Sequence, residues 1–286
     1  MSERAVGGHP QGALATIRRD AWWVEPLWTG AGFLAFALFV TWEVFQGTHY
    51  AVGMGDKFGG YLSPFYSPLL FVDPAAEGAA PAHHALLGTK PAWWPWFLPS
   101  ISAIFIMPFP LLFRLTCYYY RKFYYRAYFM QPPGCAVNPL PQPGRYEGER
   151  GLLVVQNLHR YALYIGIGFI VVLSYDAIQA FFRDGQFGVG VGSVILLINP
   201  ILLGTWTFGC HAWRHLVGGK KNCFSCDPRS HAAGTTGAYK RWKLVTWLNE
   251  RHMLFAWVSM IWVAWAGLYV RLVSMGVITD FNTWGS

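Results

Sequence analysis

The sequence predicts an all-α integral membrane protein, a bundle of five transmembrane helices with the N-terminus cytoplasmic and the C-terminus outside. Three observations carry this reading. The 286 residues are 54% hydrophobic and 13% charged, where soluble domains carry about 25% charged residues. Five apolar segments each approach the ~20 residues that cross a hydrocarbon core. The basic residues are divided unevenly between the intervening loops, as the positive-inside rule requires. Fifteen Trp and fifteen Tyr suit aromatic belts at the two interfaces.

The first span covers about residues 28–45, with Trp22, Trp23 and Trp28 as its interfacial anchor. The preceding residues carry Arg4, Arg18 and Arg19 but no apolar run, so this span reads as a retained helix and not a signal peptide. A long outer loop, 46–98, follows, rich in Gly, Pro and Ala and holding His49, His83 and His84. Loops of this length are functional or packed on a surface. Pro91-Ala-Trp-Trp-Pro-Trp96 marks re-entry into the membrane interface.

The second span covers about 100–126, running from an apolar half into the aromatic-basic stretch Tyr118-Tyr-Tyr-Arg-Lys-Phe-Tyr-Tyr-Arg126. Pro108 and Pro110 kink it or delay its start. The linker 131–144 holds five prolines and cannot be regular helix. The remaining spans cover about 158–182, 189–213 and 252–273. The whole chain, 1–286, forms a single domain, with basic loops 121–157 and 214–251 on one side.

Orientation follows from Lys and Arg. The N-terminal segment and the two basic loops carry sixteen of them, while the other side carries four: Lys57, Lys90, Arg183 and Arg271. The basic side is therefore cytoplasmic. The net charge of +8 and pI of about 9.3 reflect topology and not nucleic-acid binding. The same topology puts all five cysteines at the cytoplasmic side, where thiols stay reduced.

Depth then singles out four residues. Cys117 lies four residues, about 6 Å of helix rise, inside Arg121, and Cys210 lies four residues inside Arg214. His159 adjoins Arg160, and His252 adjoins Arg251. Two thiols and two imidazoles in one layer suit a Rieske-type [2Fe–2S] cluster, which takes two Cys on one iron and two His on the other. The bland alternative is packing, since a lone Cys or interfacial His in a helix is most often that.

Several rivals stand beside this set. His211 and His215, at i and i+4, share a helical face and can replace His159 or His252, or support a cluster or quinone by hydrogen bonds. Cys223-Phe-Ser-Cys226, flanked by His215 and His231, reads as a zinc clip. That would make the chain a zinc-clipped membrane scaffold or transporter. Cys135 is a lone loop cysteine. A haem b held by His159 and His252 is the main rival cofactor. Arg114 and Asp176 are ionisable groups within spans, and such groups lean functional. The basic loops suit anionic membrane lipids or an acidic soluble partner; docking of such a partner is preferred.

The runs Leu115-Thr-Cys-Tyr-Tyr-Tyr-Arg-Lys122, Gln156-Asn-Leu-His-Arg-Tyr161, Gly209-Cys-His-Ala-Trp-Arg-His-Leu-Val-Gly-Gly219 and Leu248-Asn-Glu-Arg-His-Met253 resemble the membrane-anchor (cytochrome b-like) subunit of actinobacterial-type succinate dehydrogenase. The resemblance covers most of the chain from the second span onward. It implies a five-helix anchor with a membrane-embedded Rieske-type cluster, assembled with an FAD flavoprotein that oxidises succinate and an iron–sulfur subunit that relays electrons. This chain would pass them to a quinone, menaquinone by expectation, in the plasma membrane. FAD and further iron–sulfur clusters belong to the partners, which lie on the cytoplasmic side, and the chain has no succinate site of its own. Tyr118, His211, Arg214 and His215 are the expected quinone-proximal or supporting residues.

Overall fold

The computed structural model describes residues 11–141, 154, 157–219 and 237–284. Helix α1 (Val24–Gln46) is followed by a loop that carries the short hairpin β1 (Ala51–Val52) and β2 (Tyr61–Leu62). Helices α2 (Ser102–Ile106), α3 (Pro108–Leu115) and α4 (Tyr118–Ala127) come next, then α5 (His159–Gln179). A second hairpin, β3 (Phe182–Arg183) and β4 (Gln186–Phe187), leads into α6 (Val191–Phe208). The chain ends with α7 (His211–Arg214), a π-helical turn at His215–Gly219, α8 (Gly237–Glu250) and α9 (His252–Ser274).

Four of these helices, α1, α5, α6 and α9, are long and apolar enough to cross a membrane. The set α2, α3 and α4 makes a fifth only if it counts as one span, because it is bent by 81° between Leu115 and Tyr118. The continuous second helix expected over 100–126 is thus corrected to a broken one. Pro108 sits at the start of α3, where the missing N–H costs nothing. Thr116 ends α3, its hydroxyl donating back to the Leu112 carbonyl at 2.7 Å, a contact that competes with helix continuation.

The fourth span is corrected in the same way. The expected helix over 189–213 stops at Phe208, and Cys210 takes an extended conformation at ψ 155° before α7 begins. The close packing at the break admits only glycine at 209. A Cβ there would lie 2.9 Å from the Thr205 carbonyl oxygen and 3.0 Å from that of Leu248. Asn249 donates to the Gly209 carbonyl at 2.7 Å and so satisfies the acceptor that the break frees.

Helix α6 packs along both α5 and α9, α3 lies on α5, and α1 touches α4 and α9. Apolar side chains such as Leu34 and Leu38 of α1, Val171 of α5 and Ile261 of α9 point outward and are exposed, as expected where lipid is the solvent. At the end of the bundle away from the cysteines, α1 is pinned to α9 by a buried ion pair, Arg271 Nε donating to Glu43 Oε2 at 2.6 Å. Arg271 also donates to the Thr48 carbonyl at 2.9 Å.

The long loop is built, not loose. Gly47, in the left-handed conformation at φ 67°, ends α1. Its N–H donates to the Tyr66 hydroxyl at 2.9 Å, and that hydroxyl donates to the Val44 carbonyl at 3.1 Å. Tyr50 stacks on Tyr66 with ring centroids 4.2 Å apart, inside a buried cluster with Leu62, Phe65 and Val72. Tyr61 and Tyr269 donate to the buried Asp280 carboxylate, each at 2.7 Å, tying the loop and α9 to the tail.

Candidate metal centre

Both helix breaks carry a cysteine, and that is how the four residues of the predicted layer are brought together. Cys117 is the N-cap of α4 and Cys210 the N-cap of α7, each in extended conformation. His159 is the first residue of α5 and His252 the first of α9. Each of the four thus stands at a helix start, which offers backbone N–H groups with no partner within the helix, and the four are linked through Phe113 and Trp206: both cysteines share a buried cluster with these rings, on which the histidines stack.

All four side chains are buried, the cysteines at 2% exposure and the histidines at 8–9%. The Cys117 sulfur lies 3.4 Å from His252 Nε2, and it faces the amides of Tyr119 and Tyr120. The Cys210 sulfur accepts from the Trp213 amide at 3.3 Å. His159 Nδ1 contacts the Thr116 hydroxyl at 3.0 Å, and its ring lies flat on Phe113 with centroids 4.7 Å apart. His252 stacks on Trp206 with centroids 6.2 Å apart, and its Nδ1 is buried with no hydrogen-bond partner. An orphaned buried nitrogen of this kind is costly.

Two thiols and two imidazoles are the donor set that a Rieske-type [2Fe–2S] cluster takes. Among the described residues no three of His, Cys, Asp and Glu are close enough together to hold one metal ion. Such a cluster takes two protein ligands on each iron. The amides around the two sulfurs stabilise negative charge there.

The alternative histidines lie beside this group, exposed where the other two are buried. His211 opens α7 and His215 opens the π-turn, and both are exposed. They line a polar cavity of about 440 Å³ together with Tyr118, His159 and Arg214. The four residues expected to be quinone-proximal or supporting thus share one cavity beside one buried imidazole. Tyr118 meets the His211 ring edge-on with centroids 6.2 Å apart. Arg214 donates to the Thr246 hydroxyl at 3.1 Å and lies 4.6 Å over Trp242. Cys135 is exposed and distant from this group in its contacts, which run to Arg18. Cys223, Cys226 and His231, the zinc-clip candidates, lie outside the described residues.

Arg114 is 7% exposed, a guanidinium hydrogen-bonded to the Tyr120 hydroxyl and 4.5 Å over the Trp206 ring. Asp176, near the far end of α5, accepts from the Ser67 hydroxyl. Sequence reasoning missed Trp206, Phe113 and Thr116. The signal for Trp206 and Phe113 was their place four residues before a cysteine, one helical turn below it.

A search of curated proteins gives no match. A chain of the solved structure titled "Mycobacterium smegmatis Sdh1 complex in the apo form" is 39% identical, with a TM-score of 0.79; the similarity covers 95% of this chain and 94% of that one. Residues 24–276 match the family described as actinobacterial succinate dehydrogenase subunit SdhC. Because that match takes in every span and all four residues of the buried centre, the chain belongs to the actinobacterial SdhC family and is a membrane subunit of succinate dehydrogenase.

Proposed function

We propose that this subunit holds a Rieske-type [2Fe–2S] cluster on Cys117, Cys210, His159 and His252 and serves as the electron-transfer step between an iron–sulfur subunit and membrane quinone. The cysteines would hold one iron and the histidines the other. When bound, such a cluster supplies a one-electron carrier whose imidazole ligands raise its potential above that of an all-thiolate cluster. The observation that carries the proposal is that these four buried side chains, each at a helix start, gather around Phe113 and Trp206, with Cys117 3.4 Å from His252 and His252 Nδ1 left without a partner.

The chain's own residues do the rest. Backbone amides of α4 and α7 face the two sulfurs and stabilise charge there. Phe113 and Trp206 hold the two imidazole rings by stacking and keep water from the centre. Tyr118, His211, Arg214 and His215 flank His159 on the polar side. Of their two expected roles we assign them the supporting one, donating hydrogen bonds and relaying protons. The basic loops form the docking surface for the iron–sulfur subunit, which receives electrons from the FAD flavoprotein. That surface is the cytoplasmic side by the excess of Lys and Arg, with quinone, menaquinone by expectation, in the plasma membrane.

The test is a His159→Ala/His252→Ala variant of the whole complex. It is expected to lose quinone reduction and any Rieske-like resonance while succinate oxidation with a soluble dye persists. Unchanged quinone reduction would remove these residues as ligands.

A further inference from the structure

Helix α8 has two unlike faces. One is packed on the breaks beside the centre: Val245 is buried, Asn249 donates to the Gly209 carbonyl at 2.7 Å, and Trp242 lies 4.6 Å under the Arg214 guanidinium. The other face is bare. Lys240, Lys243, Leu244 and Trp247 are all exposed, Leu244 at 65% and Trp247 at 48%. At 3.6 residues per turn these four fall within about 100° of one another around the helix axis. Arg251, one residue past the helix, lies 4.4 Å over the Trp247 ring and donates to the Trp247 carbonyl at 3.1 Å. Glu250 is the one acidic residue from 237 to 251, and Arg251 pairs with it at 3.6 Å.

The start of α9 fixes the depth of this face. Leu254, Ile261 and Trp265 are exposed and, at i, i+7 and i+11, stand in one outward row of the helix. That lipid-facing row begins two residues into α9, and α9 follows directly on the end of α8. The bare face of α8 therefore adjoins the level where apolar exposure begins, which is the membrane surface. A helix that presents Leu and Trp together with lysines at this level has the composition of an interfacial helix, apolar atoms toward the acyl chains and cations at the headgroups.

We infer that the exposed face of α8 binds anionic phospholipid: Lys240 and Lys243 take the headgroup phosphates, and Leu244 and Trp247 lie against the upper part of the acyl chains. Two observations select lipid over an acidic soluble protein. The cations are interleaved with protruding apolar side chains, and those side chains lead into the lipid-facing row of α9 instead of forming a separate patch. This face of α8 is thereby reserved for the bilayer, and the rest of the basic loops is left to the iron–sulfur subunit. Because the opposite face of α8 holds the Gly209 carbonyl, lipid bound here braces the turn that carries Cys210.

The test places the photo-cross-linker p-benzoylphenylalanine at Leu244, and in a second variant at Trp247, in the intact complex reconstituted into nanodiscs of equal parts phosphatidylglycerol and phosphatidylcholine. Dye-coupled succinate oxidation counts assembled complex in every preparation. Mass spectrometry of the illuminated subunit is expected to find phospholipid adducts at both positions, with phosphatidylglycerol in excess. Adding Lys240→Gln/Lys243→Gln is expected to lower that excess by up to about fivefold for each lysine and to leave dye-coupled succinate oxidation unchanged. A cross-link to the iron–sulfur subunit in place of lipid, or loss of assembled complex in the lysine variant, would overturn the inference in favour of protein docking. Lipid adducts with no preference for the anionic headgroup, or no adduct at either position, would overturn it as well.

Discussion

The ion pair between Glu43 and Arg271 lets the assembly of α1 against α9 be tested quantitatively. Arg271→Met removes the 2.6 Å contact to Glu43 and the 2.9 Å contact to the Thr48 carbonyl. Glu43 is 0% exposed, and its second oxygen already lacks a partner. The variant therefore leaves a carboxylate buried with nothing to compensate it. Removing one member of a buried pair costs about 3–5 kcal/mol. At about 2–4 °C per kcal/mol for a chain of this order, that is a fall of roughly 6–20 °C in apparent Tm. The double variant Arg271→Met/Glu43→Leu removes both charges at similar volume. It should recover most of the loss, because a buried pair and well-packed apolar residues are nearly equivalent in energy. Thermal unfolding of the purified complex in detergent, followed by scanning fluorimetry, reads both. An Arg271→Met variant melting with the wild type, or a double variant melting below the single one, would refute the reasoning.

Other expectations follow from the break in α6 and from the loop. Gly209→Ala drives a Cβ against the Thr205 and Leu248 carbonyls and should displace Cys210; iron analysis is expected to show a lowered iron content of the complex, and full iron occupancy would contradict the role given to Gly209. Burial pushes the Tyr50 and Tyr61 phenols up to about 12, helped at Tyr61 by the Asp280 carboxylate beside it. A folded value above the ordinary ~10 means the protonated phenol favours the fold. That stability is present below about pH 10 and is lost as pH rises toward 12. In a tyrosinate absorbance titration, the wild-type minus Tyr61→Phe difference should appear only well above pH 10; a difference developing with the ordinary tyrosines would contradict it.

The spans were legible because apolar composition and length report directly on the bilayer, and the four buried ligand candidates were legible because flanking arginines mark depth. What the sequence hid is where helices stop. Cys117 and Cys210 read as residues within helices, since Leu, Phe and Trp on either side continue the apolar pattern. The breaks come from packing: the Thr116 hydroxyl turned back on α3 and against His159, and the end of α8 pressed on Gly209. The partners His159 and Leu248 are both far from these breaks in sequence. The i, i+4 spacing of His211 and His215 put them on one helical face; both lie exposed past a break and line one cavity with His159. The loop 46–98 lacks periodicity because its order comes from aromatic stacking and single hydrogen bonds to the ends of α1 and α9, not from repeating secondary structure.

The central claim is the cluster, and low-temperature EPR of the dithionite-reduced complex, taken with its optical spectrum, tests it most directly. The account predicts a Rieske-like signal that disappears in the His159→Ala/His252→Ala variant. A spectrum with a haem b band and no such signal, or with neither, would contradict it.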